Sequence, residues 1–234
     1  LFSCSFNFFR GPPPPLKSNT TKLMATTQTQ AKGTIFVAHG GGFTGGSPAY
    51  GKPFAKKAKG LGFDVVLLDG INKTNEETLR VLDDVLAETY VQPYFALGVS
   101  SGGFIATQLY LKAPTLFQSV ILVAPVLNPV KRCALVAAHD PAKAAALQAK
   151  HRAYFGGDMR ADVAAIGLAT ALDPLLPTKL KWLLSSKDTQ APYLNVALCR
   201  ASLVECYYPG GVSHSELCKN GPLYVLDHLN TFFS

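Results

Sequence analysis

The sequence predicts an α/β protein, a doubly wound and mostly parallel sheet of about six strands carrying a small helical cap. Three observations point there. From Thr34 onward short apolar runs alternate with helical patterns, several of those runs are apolar at consecutive positions as strands covered on both faces must be, and one Ala-rich helical stretch interrupts the alternation.

The strand candidates, in order, are 34–38 (TIFVA), 64–68 (DVVLL), 94–99 (YFALGV), 119–124 (SVILVA), 180–184 (LKWLL) and 203–208 (LVECYY). Between the second and third, residues 74–90 put Leu79, Leu82, Leu86 and Tyr90 on one helical stripe, with Asn75 as the expected N-cap. Another helix is expected to begin near Gly103 (FIATQLYLKA). From about Leu127 to Pro177 the pattern is helical, with Asp140 and Pro141 as a cap and first-turn pair and Gly156 and Gly157 as a break. Its expected place is over the carboxyl ends of the strands, where open α/β sheets bind ligands. The alternative is a long crossover helix pair.

The chain has 234 residues, 48% hydrophobic and 16% charged, which excludes disorder throughout, collagen and coiled coil. No apolar run reaches the roughly 18 residues that a membrane helix needs, so no membrane span is expected. The net charge of +7 includes Arg10, Lys17, Lys22 and Lys32 in an acid-free stretch before Thr34. The dense basic stretch 52–59 (KPFAKKAK) has no aromatic interleaving, so it reads as a solvated helix face and no nucleic acid partner is expected. Five cysteines without a CxxC pair predict reduced thiols and no metal centre. Residues 1–33, with a PPPP run and no apolar periodicity, are expected to be a disordered leader or a non-native extension, and 34–234 the folded domain with its cap at about 127–177. A start at Met24 predicts a cytoplasmic protein, whereas a genuine leader predicts organelle targeting.

Gly98, Val99, Ser100, Ser101 and Gly102 form a G-x-S-x-G between an apolar strand and a helix, the context that lifts a serine oxygen above a sheet edge. A serine hydroxyl needs a base, and the base a third group to hold it. In this class the chain order is serine, acid, histidine, which disfavours His39, His139 and His151. His228 falls in the terminal amphipathic pattern, while His214 sits in a Gly-Gly loop after the last strand and is the expected base. Asp188, following the strand at 180–184, is the expected acid, ahead of Asp173 and Asp227. The triple glycine after the first strand lets backbone approach a ligand, so the amides of Gly41 or Gly42, with that of Ser101, are the expected oxyanion donors. His39 is read as structural. The glycine cluster lacks the spacing of a phosphate loop, and no cofactor is expected.

The order HGGGF, GVSSGG, an Asp after the next-to-last strand, then GVSH resembles the α/β hydrolase superfamily over nearly all of 34–234, and HGGGFTGGSP looks most like its carboxylesterase and hormone-sensitive-lipase group. Residues 173–180 (DPLLPTKL) are similar in kind to that group's approach to the acid strand. Ser101 stands where the group often has Ala, a form also seen in prolyl-oligopeptidase-like members, and the chain is short for the usual first two strands. The resemblance implies a minimal α/β hydrolase fold and a serine hydrolase that cleaves small-molecule esters through an acyl-enzyme. Ala, Leu, Tyr154 and Phe155 in the cap favour apolar acyl groups of small or medium size. A short-peptide hydrolase is the nearest alternative. It would have to seize a peptide terminus, for which Arg132, Arg152 and Arg160 are candidates, though they read as exposed, solvated helix charges. The remaining alternative is a ligand receptor on the same fold with little turnover.

Overall fold

The computed structural model describes residues 31–69, 73–156, 179–191 and 204–234, with backbone alone at 204–207. The expected leader up to residue 30 and the second half of the expected cap, from 157 to its end at about 177, lie outside the described residues.

Six parallel strands form one sheet: β1 (Thr34–Ala38), β2 (Asp64–Leu68), β3 (Tyr94–Val99), β4 (Phe117–Val123), β5 (Leu180–Leu184) and β6 (Val204–Tyr207), in the spatial order β2-β1-β3-β4-β5-β6. The fourth strand starts two residues earlier than the expected 119, at Phe117, whose ring packs into the core beside Phe36, Tyr94 and Tyr110. The described helices are α1 (Lys52–Gly60), α2 (Asn75–Ala87), α3 (Gly102–Lys112), α4 (Pro129–Ala137), α5 (Pro141–Phe155), α6 (His214–Asp227) and α7 (Leu229–Phe232).

Side chains alternate across a strand, so each central strand feeds two cores. Phe36, Ala96, Val120, Leu122 and Trp182 meet Leu82 of α2 and Ile105 and Leu109 of α3 on one face. Ile35, Val37, Leu97, Ile121 and Leu183 meet Phe54 and Ala58 of α1, Leu217 and Val225 of α6 and Phe232 of α7 on the other. This two-sided burial is why the strands are apolar at consecutive positions. Each side chain of this size taken fully out of water contributes about 1.5–3 kcal/mol. The C-terminus is pinned to the sheet as well: Ser119 Oγ donates to Phe232 O at 2.8 Å and Lys181 Nζ to Ser234 O at 2.8 Å.

The basic stretch 52–59 is α1, which buries Phe54 and Ala58 and leaves Lys52, Lys56 and Lys59 exposed. Asn75 is not the cap of α2. Thr74 is: its Oγ1 accepts from Glu77 N at 3.2 Å while Glu77 Oε2 accepts from Thr74 N at 2.7 Å. Asn75 turns inward instead and accepts from Gln108 Nε2 at 3.0 Å, tying α2 to α3. Asp140 caps α5 with Pro141 in its first turn, and Gly156 ends it in a left-handed conformation (φ 68°).

Chain order reverses between β1, whose next strand lies to one side, and β3, whose next lies to the other. The crevice beyond the carboxyl ends of those two strands is where such sheets bind ligands. A capped first turn predicts that Thr74→Ala lowers stability by about 1 kcal/mol in a urea titration, at unchanged slope.

Candidate active site

Two glycine-bearing turns arrive at that crevice, one after β1 and one after β3. Ser100 occupies the turn after β3 in a left-handed conformation (φ 52°), uncommon for a residue with a side chain. Its backbone is held on both sides, because Ser100 N donates to Val123 O at 2.9 Å and Ser100 O accepts from Val126 N at 2.9 Å. The flanking glycines are steric necessities: a Cβ at Gly98 would fall 2.6 Å from Gly102 O, and one at Gly102 only 2.1 Å from Ala38 O. Strand and helix thus approach too closely for any side chain at either position.

Ser100 Oγ lies 3.0 Å from His214 Nε2, and His214 Nδ1 lies 2.7 Å from Asp188 Oδ2. All three are buried. His214 opens α6, where a capping box fixes it: Ser213 Oγ accepts from Glu216 N at 3.4 Å and Glu216 Oε2 accepts from Ser213 N at 3.0 Å. Asp188 Oδ1 accepts from the amides of Gln190 and Ala191, each at 2.8 Å. Burial works to raise the Asp188 carboxyl, but the hydrogen bond and charge of His214 and these two amides outweigh it, leaving the group below its ordinary value. An ionised Asp188 accepts the Nδ1 proton, which leaves Nε2 free to accept from the serine hydroxyl.

The loops that bring Asp188 and His214 together are clasped. Ser185 Oγ donates to Val212 O at 2.5 Å and accepts from Val212 N at 2.8 Å, so the chain after β5 and the chain after β6 meet at one hydroxyl.

The structure brings the glycine loop after β1 to the same place. A Cβ at Gly40 would sit 3.1 Å from Ser100 Cβ, and Gly40, Gly41 and Gly42 border a cavity of about 660 Å³ together with Ser100 and His214. Gly41 has φ 151° and a Cβ there would meet Gly45 O at 1.6 Å, so the loop folds back on itself only with glycine. Ser101 directly precedes α3, whose first amides have no partner within the helix. His39 borders the cavity too, with Nδ1 2.8 Å from Gly40 O, and burial pulls its pKa down. His228 lies at the boundary of α6 and α7, exposed and stacked on Tyr224, away from Ser100.

Two expectations change. Arg132 is not an exposed helix charge: it is 3% exposed and borders the cavity, because α4 lies over the crevice and turns that residue inward. Arg152 is exposed, and Arg160 lies outside the described residues. Tyr154 and Phe155 do not border the cavity but pack with Phe43 and Phe104 in a separate aromatic cluster. Among the described residues of the expected cap, Arg132, Leu147 and Lys150 border the cavity.

Cys218 is a site residue that sequence reading passed over. Its Sγ lies 3.4 Å from His214 Nε2, one helical turn beyond the histidine, and burial pushes the thiol up to about 12. The signal was the i, i+4 spacing from His214, legible only once 214–227 is taken as a helix.

A family model described as "Serine aminopeptidase, S33" matches residues 68–202. No curated protein matches the sequence. Among solved structures, a mutant of the esterase E40 superposes with a TM-score of 0.63 at 17% identity, covering 88% of this chain and 79% of its own. A bacterial heroin esterase does so with a TM-score of 0.61 at 19% identity, covering 89% and 78%. A monoacylglycerol lipase from Paleococcus ferrophilus gives 0.54 at 16% identity, covering 86% and 96%. At such identities the likeness shows the fold. No helix among the described residues is long and apolar enough to cross a membrane.

His151, fully buried beside Phe43 with Nδ1 3.3 Å from Cys133 Sγ, is pulled down to about 4 by burial, helped by the charge of Arg132. Its folded value lies below its unfolded one, so the unfolded chain takes up a proton first as pH falls. Stability is therefore complete above about pH 6.5 and declines toward pH 4, by about 3 kcal/mol from this residue. Urea unfolding across that window should show His151→Phe losing that much less than the parent protein.

Proposed function

Because the chain belongs to the α/β hydrolases, in the family described as serine aminopeptidase, S33, we propose that it is a serine ester hydrolase acting on small or medium apolar acyl groups through an acyl-enzyme. What supports the reading is the hydrogen-bonded chain from Ser100 through His214 to Asp188, opening on a cavity walled by Val37, Phe54, Leu97, Val99 and Leu223.

In the proposed mechanism Ser100 Oγ attacks the ester carbonyl carbon as its proton passes to His214 Nε2. Asp188 stabilises the imidazolium through Nδ1. Charge gathers on the carbonyl oxygen, where the amides of Gly41 or Gly42 and of Ser101 offer preset donors. His214 then returns its proton to the departing alkoxide, and water activated by the same nitrogen releases the acid and frees Ser100. A volume near 660 Å³ falls within the range of small-ligand sites and accommodates a short acyl chain with its alcohol.

The family description suggests peptide termini as a second reading. An aminopeptidase needs a carboxylate to hold the substrate's ammonium group, and the charged side chains among the described residues bordering the cavity are Arg132, Lys150 and Lys219, all cationic. That charge disfavours an ammonium and leaves the ester reading ahead.

Ser100→Ala should abolish labelling by a fluorophosphonate, and Ser101→Ala should not. Asp188→Asn and His214→Ala should each lower kcat for p-nitrophenyl butyrate by roughly 10³ or more, with His228→Ala near the parent rate. Labelling without turnover of any simple ester would favour a receptor. Across p-nitrophenyl esters, activity should fall beyond medium acyl chains; a rise with chain length and activation at an oil interface would overturn the substrate range.

A further inference from the structure

Arg132 poses a problem in bookkeeping of charge. Its Nε donates to Gln190 O at 2.6 Å, which ties α4 to the loop after Asp188. That bond explains why a basic residue is turned inward, but it uses one nitrogen. Nη1 is buried and has no hydrogen-bond partner among the described residues, although an unmatched buried donor is costly and a charged one more so. Burial lowers the guanidinium's pKa, but arginine starts so high that it stays charged.

The nearby groups do not supply the missing acceptor. Asp188 is close enough to act on Arg132 electrostatically, yet its Oδ1 is taken by two amides and its Oδ2 by His214. Cys218, also within electrostatic reach, is a protonated thiol, and burial pushes Cys133 upward too. Lys150 and Lys219 add positive charge to the border of the cavity, and no Asp or Glu stands among its described lining residues. The result is a cavity with apolar walls, a serine at its floor and one desolvated guanidinium. A planar, two-oxygen anion is the group that a guanidinium fork matches best.

Building on the ester-hydrolase reading, we infer that the substrate carries a free carboxylate besides its ester, and that Arg132 holds that carboxylate while Ser100 meets the ester carbonyl. Arg132 is then a specificity-determining residue: it selects half-esters and similar monoanions over neutral esters of equal size. The apolar walls take the carbon chain between the two groups, and the lysines draw the anion in from solvent.

Calorimetric titration of the Ser100→Ala protein, in which turnover is blocked, compares monomethyl glutarate with dimethyl glutarate at low ionic strength. The monoanion should bind at least about tenfold tighter, as a charge-assisted bond to a buried group allows. Arg132→Leu, introduced beside Ser100→Ala, should erase the difference without weakening the diester, and Arg132→Lys should keep part of it, since charge remains and the fork is lost. If Arg132→Leu does not fold, by thermal midpoint, Arg132→Lys decides, its preference reduced or unchanged. Equal affinities for monoanion and diester, a preference that survives in Arg132→Leu, or one left undiminished in Arg132→Lys, would overturn the inference. Turnover of p-nitrophenyl butyrate by the unmutated protein is read separately: turnover without anion preference removes the carboxylate site alone, and anion preference without turnover removes the ester reading while leaving the site.

Discussion

A left-handed turn at Ser100, wedged where β3 gives way to α3, sets the position of every other group at the site. The conformation is unfavourable for a residue with a side chain by about 1–2 kcal/mol, and it is held by what surrounds it. Ser100 N and O bond to Val123 and Val126, and bare glycines at 98 and 102 let α3 lie against β1 and β3 closer than any side chain permits. Because β1 and β3 are neighbours while their successors depart in opposite directions, the glycine loop after β1 necessarily opens beside the serine. Sheet order and turn geometry therefore solve one problem together.

Asp188 and His214 face a different problem, since they come from loops after two further strands. Ser185 resolves it by bonding both the N–H and the carbonyl of Val212, which makes the two loops one unit before either side chain is considered. The capping box at Ser213 and Glu216 then fixes the first turn of α6, and with it the imidazole. Neither Ser185 nor Glu216 touches the serine, yet the 2.7 Å and 3.0 Å contacts of His214 depend on both.

Most of this was legible in the residues. Strands buried on both faces leave consecutive apolar positions, and β1, β2, β3 and β5 have the bounds that pattern gives. Chain order, with their places in loops after the last two strands, points to Asp188 and His214, the residues that the fold brings to Ser100. What escaped were matters of direction. Thr74 and Asn75 are both good caps, and only packing against Gln108 shows which one turns inward. An arginine on a short helix reads as solvated until that helix is known to lie over a crevice, so Arg132 was misplaced. Tyr154 and Phe155 were correctly apolar and wrongly aimed, because a helix pattern does not say which of two neighbouring hollows its rings will fill.

Those two rings carry a mechanical implication. Phe43, at the end of the glycine loop, sits in a left-handed conformation (φ 73°) with ring centroids of Tyr154 at 4.7 Å, Phe155 at 5.4 Å and Phe104 at 5.8 Å. The C-terminal end of α5 is thereby keyed into the loop that borders Ser100 and into α3 beneath it. A swing of α5 away from the body would pull Phe43 out of its socket and release the strain that shapes the glycine turn. Phe43 therefore couples the seating of α5 to the shape of the glycine loop, so that displacing the one costs the ring contacts that hold the other.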